Sequence, residues 1–140
     1  MGTVLIIEDN PANMKLSTML VKSLGHDVLG AVDAEYGMTI ARVEQPDLIL
    51  MDIQLPGMDG LTATALLKGD PVTAGIPVIA LTSLAMKADE ERSEQAGCDA
   101  YITKPLRYRE LFAAINRLLA PSPVGGSAGT DGGGTPPDVP

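Results

Sequence analysis

The chain has 140 residues, 45% of them hydrophobic but only 3% aromatic and none of them Trp, so any core must be aliphatic. Its net charge is −8; Asp131 and Asp138 carry two of the negative charges and residues 1–120 the remaining −6, a balance opposed to direct nucleic-acid binding, which needs clustered Lys and Arg. One cysteine, Cys98, and one histidine, His26, exclude a disulfide framework and an ordinary Cys/His zinc site.

The first apolar run is Val4-Leu5-Ile6-Ile7, continuous rather than alternating, as in a strand covered on both faces. Asn10 then offers an N-cap with Pro11 at the first helical position, and Leu16, Leu20 and Leu24 repeat at intervals of four before Gly25 ends the helix. A weaker run, Asp27–Val32, precedes a helix pattern over Ala34–Glu44. Leu48-Ile49-Leu50-Met51 is the next continuous run, followed by a helix over Leu61–Lys68. Val78-Ile79-Ala80-Leu81 leads to a helix over Met86–Ala96, and Ala100–Thr103 to a last helix marked by Leu111, Ile115, Leu118 and Leu119. Met14 and Met19 read as helix packing, and Cys98 as a small, partly buried residue in a turn.

From Pro121 to Pro140, eleven of twenty residues are Gly or Pro, too little apolar surface to offset the entropy of ordering. The expected organisation is a folding unit over 1–120 and a disordered tail over 121–140. None of the runs approaches the ~20 residues of a membrane span. The N-terminus lacks the charged start and long apolar stretch of a cleavable signal, so the expected location is cytoplasmic.

Five strands alternating with five helices imply a parallel sheet with helices on both faces, a doubly wound α/β fold. In such sheets ligands gather outside the carboxyl ends of the strands. The residues there are Glu8-Asp9 after the first run, Asp52 after the third, Thr82 after the fourth and Lys104 after the fifth. Converging carboxylates repel unless a cation intervenes. Mg²⁺ suits them, because it takes oxygen ligands and leaves coordination places for phosphate.

That chemistry assigns roles. Asp52, the lone carboxylate on the central run, is the candidate nucleophile for an acyl phosphate, with Glu8 and Asp9 as a metal-holding pair. Lys104 supplies positive charge, and the Thr82 hydroxyl can donate a hydrogen bond to a phosphoryl oxygen. Each residue alone has a plainer reading: Asp9-Asn10-Pro11 as a helix start, Asp52 as a turn opener, Thr82 as a strand end, Lys104 as a solvated charge. Turn chemistry does not readily place all of them at the carboxyl ends of different strands with complementary signs.

These residues and their neighbours resemble the receiver domain of bacterial response regulators, most closely single-domain, DivK-like or CheY-like members. The resemblance covers roughly residues 3–119 and rests on Ile6-Ile7-Glu8-Asp9-Asn10, Pro46–Asp52, Leu55-Pro56-Gly57-Met58-Asp59-Gly60, Ile76–Thr82 and Ala96–Pro105 in order. It implies a flavodoxin-like sheet of order 2-1-3-4-5, phosphorylation on Asp52, and Mg²⁺ held by Asp9, Asp52 and the backbone carbonyl of Gln54, with Glu8 acting mainly through water. It also implies a cis bond between Lys104 and Pro105, and Tyr101 as a switch aromatic coupled to Thr82.

The output face would be built from the fourth helix, fifth strand and fifth helix, with Leu84, Ala85, Met86, Leu106 and Tyr108 flanking Tyr101 and some of them exposed. Implied partners are a sensor histidine kinase or histidine phosphotransfer protein as donor and a downstream protein effector, with no direct DNA binding. The chain would be a phosphoacceptor rather than an enzyme of multiple turnover. The start at Met1, shortly before the first strand, suggests a free-standing regulator; a receiver from a hybrid sensor kinase is the alternative. A third reading, a Mg²⁺-dependent aspartyl-phosphate phosphohydrolase, meets Gln54 where a second Asp would serve as general acid.

Overall fold

The computed structural model describes residues 2–83 and 87–119. Elements alternate as β1 (Thr3–Ile7), α1 (Pro11–Ser23), β2 (Asp27–Ala31), α2 (Ala34–Glu44), β3 (Leu48–Asp52), α3 (Gly60–Gly69), β4 (Val78–Thr82), α4 (Lys87–Ala96), β5 (Ala100–Thr103) and α5 (Tyr108–Leu119). The five strands are parallel in the order β2-β1-β3-β4-β5, the doubly wound sheet expected from the alternation. Order reverses at β1, whose neighbours β2 and β3 lie on opposite sides, so the carboxyl ends of β1 and β3 flank the crevice where such folds place their ligands.

Successive strand residues point to opposite faces, which splits the aliphatic core in two. Leu5, Ile7, Ile49, Met51 and Val78 pack with Ala41, Ala63 and Leu67 under α2 and α3. Val4, Ile6, Leu48, Leu50, Ile79 and Leu81 pack with Val21, Ile102, Leu111 and Ile115 under α1 and α5. Strands β3 and β4 are buried along their whole length, so their runs show no alternation.

Helix ends follow local chemistry. Asn10 caps α1 by accepting the Asn13 N–H at 3.0 Å, Asp33 caps α2 by accepting that of Tyr36 at 2.8 Å, and Asp59 caps α3 by accepting that of Thr62 at 2.9 Å. Gly25, with φ of 92°, carries the chain out of α1 in the left-handed region that favours glycine.

Some expectations shift. The buried residues of α1 are Ser17 and Val21, with Met14, Leu20 and Leu24 partly buried beside them; Leu16 is 42% exposed and Met19 60% exposed. At 100° per residue, positions 14, 17, 21 and 24 share a stripe from which 16 and 19 point away, so Met19 does not pack. A polar Ser17 on the inner face hides that stripe from a count of leucines. Strand β2 stops at Ala31, leaving Val32 exposed, and α3 gains Gly60 and Gly69 at its ends. Met86, the expected start of α4, and the tail both lie outside the described residues, as do Leu84 and Ala85.

Candidate functional site

Strands β3 and β4 each run one residue beyond their apolar run, ending on Asp52 and Thr82. Both are almost wholly buried, Asp52 with 2% of its surface exposed. Glu8 directly follows β1 and is 1% exposed, its N–H still donating to the Ala31 carbonyl at 2.9 Å as a continuation of the sheet. Lys104 follows β5 in the same way, its N–H donating to the Thr82 carbonyl at 2.6 Å. Four adjoining strand ends thus deliver the side chains to one place.

There the Lys104 ammonium donates to Glu8 Oε1 at 3.0 Å and to Asp52 Oδ2 at 3.2 Å. Asp52 Oδ1 accepts the backbone N–H of Gln54 at 3.0 Å, and Glu8 Oε2 that of Asn10 at 3.2 Å. Asp9 is exposed at the rim and completes the cluster: Glu8, Asp9 and Asp52 each offer an oxygen within 4.8 Å of the other two. The Lys104–Pro105 bond is cis, as the resemblance implies.

The electrostatics follow from burial. Desolvation pushes the Glu8 carboxyl above its ordinary range, and the adjacent Asp52 adds to this, while the Lys104 and Asn10 hydrogen bonds oppose it. Burial alone would lower the Lys104 pKa, but Glu8 and Asp52 outweigh it and hold the ammonium above the usual lysine range. Among the described residues the cluster thus sets one ammonium, paired with Glu8 and Asp52, against three carboxylates, an excess of two negative charges when all are ionised. A hard dication with oxygen ligands offsets that excess, so the residues present fit Mg²⁺.

Gly60 is a site residue that motif reading quotes without explaining. It opens α3 directly behind Asp52, its N–H donating to the Ile53 carbonyl at 2.9 Å. A Cβ there would lie 2.3 Å from the Asp52 carbonyl oxygen and 2.8 Å from Ile53 Cα, both backbone atoms that cannot yield cheaply. The absence of a side chain is what lets the helix start against the strand end. A second is Ser83, whose hydroxyl donates to Gln54 Oε1 across two loops. No sequence motif flags that pair, because its members are 29 residues apart.

On the neighbouring face, Tyr101 on β5 is half-buried, Leu106 packs against the inner core, and Tyr108 is exposed at the start of α5, its ring edge-on to Phe112. His26 is remote from the site, accepting the Gly2 N–H at 3.1 Å, and Cys98 is partly buried, its thiol pKa pushed up by that burial. Among the described residues no helix is long and apolar enough to cross a membrane.

Comparison with known proteins agrees with this geometry. The response regulator receiver domain profile matches residues 4–116. The polar-differentiation response regulator DivK of Brucella anthropi is 45% identical over 117 residues, covering 84% of this chain and 95% of that protein. The receiver domain of the sensor histidine kinase PA1611 from Pseudomonas aeruginosa, solved with a magnesium ion coordinated in its active site cleft, is 33% identical with a TM-score of 0.79, covering 86% of this chain and 98% of its own. The chemotaxis protein CheY4 of Vibrio cholerae shares the fold, with a TM-score of 0.80 at 20% identity over 85% of this chain and 99% of its own. The chain belongs to the response regulator receiver domain family of two-component systems, as a DivK-like and CheY-like member.

Proposed function

We propose that this chain accepts a phosphoryl group on Asp52 from a histidine kinase or a histidine phosphotransfer protein and thereby switches a protein-binding face. The observation that carries the proposal is the Lys104 ammonium held between Glu8 and Asp52 at the point where three carboxylates converge. In the transfer the donor's bond to phosphorus breaks, its electron pair stays on the donor, and a new bond forms from an Asp52 carboxylate oxygen to phosphorus. Lys104 Nζ, 3.2 Å from Asp52 Oδ2, is within reach of charge gathering there, and the buried Thr82 ends the next strand one residue beyond the Leu81 that pairs with Asp52. Mg²⁺, held by Asp9, Asp52 and the Gln54 carbonyl with Glu8 acting through water, would supply further neutralisation of the phosphoryl oxygens.

The switch reading joins Thr82 to Tyr101: a hydroxyl drawn toward phosphate vacates space for the ring, and a two-state element biased by local charge shifts its population. The face of α4, β5 and α5 is then what a downstream protein reads. The same proposal makes the chain a cytoplasmic phosphoacceptor with slow self-hydrolysis rather than a multiple-turnover enzyme. Its likeness to the PA1611 receiver favours a second reading, a receiver serving a hybrid sensor kinase, which shares the Asp52 chemistry and differs in partner.

One experiment tests this. The protein incubated with Mg²⁺ and acetyl phosphate gains one phosphoryl group by intact mass, lost in Asp52→Asn and on chelation, and backbone amide resonances of α4, β5 and α5 shift with it. A wild type that shows no adduct and releases no phosphate would overturn the proposal. Sustained turnover of unrelated phosphate esters would favour a hydrolase.

A further inference from the structure

Helices α2 and α3 pack side by side on one face of the sheet, and between them lies a groove of about 280 Å³. Its walls are Met38, Leu66 and Leu67 together with the ion pair of Arg42 and Asp70. Leu67 belongs to the buried core and Met38 packs against it, but Leu66 is half exposed. Val43 and Val72, also exposed, stand at the same C-terminal ends of the two helices. Two links fix the walls in place: Arg42 pairs with Asp70, and Gln45 Nε2 donates to the Val72 carbonyl at 3.2 Å. The helix that follows a strand of a parallel sheet returns toward the amino edge, so these last turns lie at the far end of the molecule from Asp52.

The two charges in the groove are unequally spent. Asp70 accepts at both oxygens, from the Val72 N–H at 3.0 Å and from Arg42. Arg42 gives only Nη1 to Asp70, and its Nε and Nη2 meet no acceptor among the described residues. Those two nitrogens form the fork that fits a carboxylate. The volume lies below the ~300–1,000 Å³ of sites that enclose a small molecule, so the groove suits side chains of a protein. A second copy is disfavoured, because chains of net charge −8 repel one another. We propose that the α2–α3 groove docks a partner segment that lays an aliphatic side chain on Leu66 and Met38 and an adjacent carboxylate on Arg42. At contact the fork outweighs the distant net charge, which salt screens. The groove is remote from Asp52, so the docking is constitutive and holds its partner whatever the state of that residue. It stands or falls independently of the phosphoacceptor reading.

The test follows backbone amide resonances of the full chain while a blocked peptide, acetyl-Gly-Leu-Glu-Leu-Gly-amide, is added to millimolar concentration. Amides of Met38, Arg42, Leu66 and Leu67 shift and saturate. A peptide with glutamine in place of its glutamate binds about threefold more weakly, as expected for an exposed charge pair. Arg42→Gln removes this preference, so that the two peptides bind alike. Leu66→Asn, at an exposed position that leaves the fold intact, weakens both peptides roughly tenfold through lost apolar contact. Acetyl phosphate and Mg²⁺ leave the affinity unchanged. Shifts confined to another face, or glutamate and glutamine peptides that bind the wild type equally, would overturn the proposal. So would groove amides that move with protein concentration or on removal of residues 121–140, which would assign the groove to a second copy or to the chain's own tail. An affinity that follows acetyl phosphate treatment would overturn the constitutive role.

Discussion

Strand β3 is flanked by an aspartate at each end, and the two have opposite fates. Asp47, just before it, is exposed and spends its carboxylate on the backbone: Oδ2 accepts the Thr3 N–H at 2.7 Å, and its own N–H donates to the Thr3 carbonyl at 2.8 Å. Asp52, the last residue of β3, is buried and meets an ammonium and a second carboxylate instead. The amino edge of a parallel sheet collects groups that finish the ladder between neighbouring strands. The carboxyl edge, where strand order reverses, gathers side chains from several connections over a crevice. Residue type is equal at the two ends; what differs is the company that topology supplies.

The sharpest way to break this contrast is to remove the cation. Lys104→Ala leaves Glu8 and Asp52 buried without their shared partner, a loss of roughly 3 kcal/mol for a severed buried pair. Glu8, already biased toward protonation by burial, takes up a proton and caps the penalty. We expect a urea midpoint lowered in metal-free buffer and partly restored by added Mg²⁺, together with strongly slowed phosphorylation of Asp52 by acetyl phosphate. An unchanged midpoint would show that Lys104 does not hold the two carboxylates. At the other end Asp47→Ala removes one exposed side-chain hydrogen bond, for about 1 kcal/mol. It should lower the midpoint slightly and leave the rate of adduct formation as in the wild type; a slowed rate would erase the difference between the edges.

How much of this was readable beforehand depends on range. Strands β1, β3 and β4 announce themselves because burial on both faces makes them uninterrupted aliphatic runs, and Asn10-Pro11 announces α1 because capping is local chemistry. The facing stripe of α1 was obscured, since Leu16 is exposed while Ser17 is buried. Strand ends pointed to Glu8, Asp9, Asp52 and Lys104, which the structure brings together, and to Thr82 at the end of β4, because topology alone collects carboxyl ends on one edge. That Lys104 bridges Glu8 and Asp52 was not legible: those partners lie 96 and 52 residues away, and only packing sets which atoms meet. The Gln54–Ser83 link and the backbone clash that reserves position 60 for glycine are invisible for the same reason.

Asp59 lies between the two extremes. It is exposed like Asp47 yet sits on the loop that leaves Asp52, capping α3 through the Thr62 N–H at 2.9 Å and accepting the Thr62 hydroxyl at 3.1 Å. The Thr62 backbone N–H holds its carboxyl below the ordinary aspartate range, with burial opposing only in part. A folded-state pKa below the unfolded one adds stability that is complete above the unfolded value and fades as pH falls through the folded one. Asp59→Ala should therefore cost about 1 kcal/mol at neutral pH, and this cost should shrink toward acid pH as the wild type loses its charged cap. Urea midpoints of both proteins at neutral and acid pH measure this. A gap that widened in acid would contradict the sign. Because the cap holds α3 and not the proposed acceptor Asp52, adduct formation at neutral pH should fall far less than in Lys104→Ala, which separates a helix-capping carboxylate from the buried one that precedes it.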